Sequence, residues 1–128
     1  MMNVALVCLT AIMGNPERHR VQELVKECQK ESGSTVNEIE NIRKGVITTE
    51  TGKQALCVNI KVGALDQNGD VVSDGFKKHV EALTDSIDGR KEFQDKCGKT
   101  EGKSSEDKAI NFVKCMQSVL AKVSSLSI

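Results

Sequence analysis

At 128 residues the chain has the length of one domain, and its 18 Lys and Arg balance its 18 Asp and Glu. That balance leaves no general field for a nucleic-acid backbone or an anionic membrane surface. With three Phe, no Tyr and no Trp, the chain also lacks the aromatic platforms on which unpaired bases stack, so neither nucleic-acid binding nor membrane insertion is expected.

The chain begins with an apolar run, Met1 to Met13. It is too short to span a bilayer and fits the hydrophobic region of a secretory signal. Residues 1–14 are therefore expected to be removed on export, and Cys8 with them. Cys28, Cys57, Cys97 and Cys115 remain, an even set suited to disulfides in an oxidising, extracellular compartment.

Asn15-Pro16 reads as a cap followed by Pro at the first helical position. Val21, Leu24, Val25 and Cys28 then line one face until Gly33. Thr35-x-x-Glu38 predicts a capping box for a second helix carrying Val36, Ile39 and Ile42 and stopped by Gly45. A β-prone run, Val46 to Thr49, stands alone. A third helix is expected over Thr51 to Val62, with Leu56, Cys57 and Ile60 inward and Gly63 as its stop. Asp66 to Asp70 is a polar turn around Asn68-Gly69. The fourth helix carries Phe76, Val80, Leu83 and Ile87 on one stripe. A short fifth holds Phe93 and Cys97, and Gly98 closes it. Ser104-x-x-Asp107 opens the last, whose stripe is Ala109, Phe112, Val113, Met116, Leu120 and Val123. The pattern predicts an all-α domain of about six helices over residues 15–123, with 124–128 as a tail that is loose or packed back on the body.

Motifs for chemistry are absent. Asp66-x-Asn68-x-Asp70 resembles the start of a calcium loop, but Val71 and Lys77 stand where the motif needs Gly and Glu. There is no Cys-x-x-Cys, no His-x-x-x-His and no phosphate-cradling glycine pattern. His19 reads as solvated and His79 as an edge residue of the fourth helix. No metal, no cofactor and no enzymatic activity is expected.

The cysteines are separated by 28, 39 and 17 residues, which by itself leaves three possible pairings. At this point the chain resembles the insect odorant-binding proteins. These carry six cysteines, with three residues between the second and third and eight between the fifth and sixth. Counting back from Cys57 and Cys115 puts Lys53 and Glu106 where that family has its second and fifth, so the chain resembles the four-cysteine subclass. The words Lys26-Glu27-Cys28-Gln29, Ser32-Gly33, Arg43-Lys44-Gly45-Val46 and Phe112-Val113-Lys114-Cys115 are similar to beetle members, the hemolymph carriers and accessory-gland B proteins. The resemblance covers roughly Pro16 to Leu120.

What the resemblance implies is specific. The pairings would be Cys28–Cys57 and Cys97–Cys115, each worth about 3–4 kcal/mol by loop closure. Lys53 and Glu106 would meet as an ion pair at the site of the lost bridge. The helices would enclose an apolar cavity, with Leu24, Ile42, Leu56, Ile60, Phe76, Val80, Leu83, Phe93, Val113, Met116 and Leu120 as candidate walls. Aliphatic walls suit flexible chains such as fatty acids, alcohols, aldehydes or terpenoids better than polar aromatics. The expected protein is a secreted carrier of small hydrophobic molecules, a monomer or weak dimer. A protein–protein signalling factor on the same scaffold, or a secreted helical inhibitor, are the other readings.

Overall fold

The computed structural model describes residues 15–126, with six α-helices and no strand among them. The expected leader, residues 1–14, lies outside the described residues, as do 127 and 128. Helix α1 spans Pro16–Ser32, α2 Glu38–Arg43, α3 Thr51–Val62, α4 Ser73–Leu83, α5 Ile87–Cys97 and α6 Ser105–Leu126.

Local chemistry sets most boundaries. The Asn15 side chain accepts the Arg18 N–H at 2.8 Å, and Pro16 follows it. The same side chain donates to the Ala82 and Leu83 carbonyls at 2.9 and 2.8 Å, so the cap of α1 also ties it to the end of α4. Gly33 and Gly63 close α1 and α3 in the left-handed conformation. Ser86 caps α5 and Ser104 caps α6 through hydrogen bonds to Gly89 and Asp107.

The start of α2 departs from expectation. Its cap is Asn37, whose side chain accepts from the Glu40 N–H, rather than Thr35. Glu38 cannot reach back to Thr35 because its side chain turns inward. It accepts from the hydroxyls of Thr51 at 2.9 Å and Thr48 at 3.2 Å, while its own N–H donates to Gln54 at 2.7 Å. This buried polar seam fastens α2 to α3. Val36 is left outside the helix and exposed.

Two stripes differ in extent. The α4 stripe stops at Leu83, since Thr84 is extended, and Ile87 begins α5 on the surface, 81% exposed. Helix α6 runs on to Leu126, past the boundary expected at Ser124.

The core lies where α3 and α6 cross, the most extensive helix pair. Ala55 and Ala109 are fully buried there, and Phe76 of α4 meets Phe112 of α6 edge-to-face with centroids 5.7 Å apart. Phe93 and Cys97 seal α5 against α6. Gly75 brings α4 onto the end of α3. A β-carbon at Gly75 would lie 1.8 Å from the Gly63 carbonyl oxygen, so no side chain fits.

The disulfides are Cys28–Cys57, joining α1 to α3, and Cys97–Cys115, joining α5 to α6. They are the pairings that the family resemblance implied. The expected Lys53–Glu106 ion pair does not form. Lys53 pairs with Glu50 at 3.6 Å on the surface. Glu106 lies instead against Gly52, where an added β-carbon would sit 2.6 Å from the Glu106 β-carbon. The glycine thus leaves room for the Glu106 side chain against α3.

Candidate ligand cavity

A cavity of about 1050 Å³ lies between α1, α2 and α6 and reaches the ends of α3 and α4. Its apolar surface comes from Val21 and Val25 of α1, Ile39 of α2, Val58 of α3, Leu83 of α4, and Val113, Met116 and Leu120 of α6. Exposed polar residues, among them Arg18, Gln22, Lys26, Asn37 and Arg43, surround the opening. An apolar floor with a polar border is the arrangement that takes up a small apolar molecule while its mouth stays wetted.

Of the candidate wall residues, Leu83, Val113, Met116 and Leu120 border this cavity. Ile42, Phe76, Val80 and Phe93 are buried in the packed core instead. Leu24 and Leu56 are half-buried against that core. Ile60 is 39% exposed on the outer side of α3, contrary to its expected inward position. The reason is that α3 buries polar residues. Thr51, Gln54 and Asn59 all turn inward, and each has a hydrogen-bond partner there. An inward face chosen from apolar residues alone is rotated away from the true one, which runs Thr51, Ala55, Val58, Val62.

Two buried polar residues border the cavity, Asn59 and His79. His79 is 6% exposed and is not the edge residue expected. Its Nδ1 lies 2.5 Å from Glu17 Oε2 at the start of α1. Arg20 grips the same carboxylate with two hydrogen bonds of 2.8 Å and also donates to the Val62 carbonyl at 3.2 Å. Burial pushes the Glu17 carboxyl upward, but the hydrogen bonds from Arg20 and His79 outweigh it and hold the group below its ordinary range. Burial holds the His79 imidazole below its ordinary value against the opposing pull of Glu17. At neutral pH the cluster is a carboxylate, a guanidinium and a neutral imidazole. Sequence reading missed it because Glu17 and His79 stand 62 positions apart; the signal available was the acidic first turn of α1, which a helix N-terminus favours in any case.

A smaller hollow of about 230 Å³ beside Cys28–Cys57 is bordered by Glu31, Glu50 and Lys53, charges that suit an apolar guest poorly. Among the described residues no helix is long and apolar enough to cross a membrane.

Comparison with known proteins agrees with this architecture. The sequence profile of the PBP/GOBP family matches residues 14–119. The B2 protein of Tenebrio molitor is 26% identical over 116 residues, spanning 88% of this chain and 90% of that protein. The B1 protein of the same beetle is 26% identical over 116 residues, spanning 88% of each. With the six helices, the two cross-links and the profile match over most of its length, the chain belongs to the PBP/GOBP family of insect odorant-binding proteins.

Proposed function

We propose that the protein is a secreted carrier that holds one small hydrophobic molecule in the cavity between α1, α2 and α6 and moves it through an extracellular fluid. The observation that carries this reading is the cavity itself. About 1050 Å³ of space with an aliphatic floor is available in a family that binds small molecules. Val25, Val58, Leu83, Val113, Met116 and Leu120 would contact the chain of the ligand. Burial of apolar area at about 25 cal/mol per Å² would supply micromolar affinity with modest selectivity. The two disulfides, in the four-cysteine pattern, support an oxidising compartment. The apolar run in residues 1–14 is read as the export leader. The protein acts without cofactor or chemistry, as a monomer or weak dimer.

The test is titration of delipidated, oxidised protein with an environment-sensitive naphthylamine fluorophore, then displacement by alcohols of increasing chain length. Without Trp or Tyr the protein background is dark. Saturable uptake at one site, with chain-length-dependent displacement, is expected. Absence of saturable uptake would contradict the carrier reading and favour capture of a protein partner instead.

A further inference from the structure

The polar atoms inside the cavity differ in what they can offer a guest. The Glu17 carboxylate, gripped by both nitrogens of the Arg20 fork, has no proton to give. The short contact between Glu17 Oε2 and His79 Nδ1 therefore has Nδ1–H as its donor. In the neutral ring this leaves Nε2 as a bare acceptor. Among the described residues Nε2 has no hydrogen-bond or ion-pair partner, and no buried side-chain nitrogen or oxygen there is sealed without one. As His79 is buried and borders the cavity, its Nε2 is open to that space.

Asn59 stands on the neighbouring element. Its Nδ2 donates to the Ala55 carbonyl at 2.9 Å, which fixes the amide orientation and leaves Oδ1 without a partner among the described residues, beside the same cavity. Asn59 keeps a second N–H and can serve either role; His79 can only accept.

We propose that His79, oriented by Glu17, is the residue that selects the polar head of the ligand, and that the ligand class is hydroxyl-bearing: a long-chain alcohol donating its O–H to Nε2. Ethers, esters and aldehydes of the same size carry no donor and would leave that acceptor desolvated and unpaired. This inference rests on the carrier reading and adds the head-group preference to it. The Arg20–Glu17 pair acts as a positioning device, because it holds the imidazole in one tautomer.

The test compares dodecanol with undecyl methyl ether, which has the same number of heavy atoms and no donor. Dodecanol is expected to bind about tenfold more tightly, the size of one unpaired buried acceptor. In the His79→Phe variant that ratio is expected to fall to about one. Should that variant fail to fold, the unmodified protein supplies a second readout. Only His19 and His79 are present, so nitrogen-15 histidine spectra are easily assigned. They should give His79 as the Nδ1–H tautomer, with its Nε2 resonance moving on addition of dodecanol and staying in place with the ether. Equal binding of alcohol and ether, or an Nε2–H tautomer, would overturn the proposal while leaving the carrier reading intact. Failure of both molecules to bind would remove both.

Discussion

Helix α6 passes through two different environments. Near its start, Ala109 and Phe112 are sealed in a core shared with Ala55 and Phe76. Further along, Val113, Met116 and Leu120 belong to the same apolar stripe, yet they border a cavity of about 1050 Å³. The residue types are similar, so the difference lies in the partner helices. Around the first part, the alanines and the close approach of Gly52 to Glu106 and of Gly69 to Ser105 and Lys108 let the elements pack tightly. Around the second, α1 and α2 contribute Val21, Val25 and Ile39, and the space between them and α6 is not filled. An apolar stripe therefore states which side of a helix turns inward; whether it meets protein or empty space depends on the helices opposite.

The largest expected effect is in the sealed part. Phe76→Ala removes a fully buried ring and its edge contact with Phe112, and should cost about 3–5 kcal/mol in urea unfolding. Leu120→Ala at the cavity wall should cost less than about 1 kcal/mol, because the site already borders open volume. It should weaken alcohol binding all the same. Equal losses of stability at the two positions would erase the distinction between core and cavity.

Next in size come the cross-links. The double variant Cys28→Ser, Cys57→Ser should lose about 3.5 kcal/mol, given the 29-residue separation. This bridge holds α1, one wall of the cavity, against α3, so ligand affinity should fall as well. Loss of the Cys97–Cys115 bridge, between α5 and α6, should lower stability to a similar degree and disturb affinity less. Reversal of that order in affinity would mean that the cavity is held by α5 rather than α1.

The buried cluster gives a smaller, pH-dependent effect. In the fold His79 is held below its ordinary 6.5, so as pH falls the unfolded chain takes up that proton first. The stability from the neutral buried imidazole is complete above about pH 6.5 and declines below it. Glu17, held below its ordinary 4.5, adds its own loss at lower pH, as its carboxyl becomes protonated. The urea midpoint should therefore drop between about pH 7 and pH 5, and His79→Phe should flatten that part of the profile. A midpoint unchanged over this range would mean that His79 is not buried as a neutral ring.

Much of this was legible in the residues. The boundaries of α3, the caps at Asn15 and Ser104, and the stripe of α6 follow from spacing and turn chemistry. The disulfide pairing was available only through family resemblance, since spacing allows three. What local pattern could not give were the long-range polar contacts. Glu38 looks like half of a capping box until Thr48, Thr51 and Gln54 are brought beside it. His79 looks like an edge residue until Glu17 covers it. Ile60 looks inward because the polar residues that replace it in the interior are satisfied only after folding. In each case a buried polar group had to find a partner, and the partner lay on another element.

Occupation of the cavity is read most directly at Met116. It is the only methionine after Met13 and lies on the cavity floor. Methyl-carbon-13 methionine spectra recorded during a dodecanol titration should show the Met116 methyl moving saturably, with a midpoint in the micromolar range and one alcohol bound per chain. A Met116 resonance that stays fixed at saturating alcohol would contradict the account, because Met116 borders the cavity beside Val113 and Leu120.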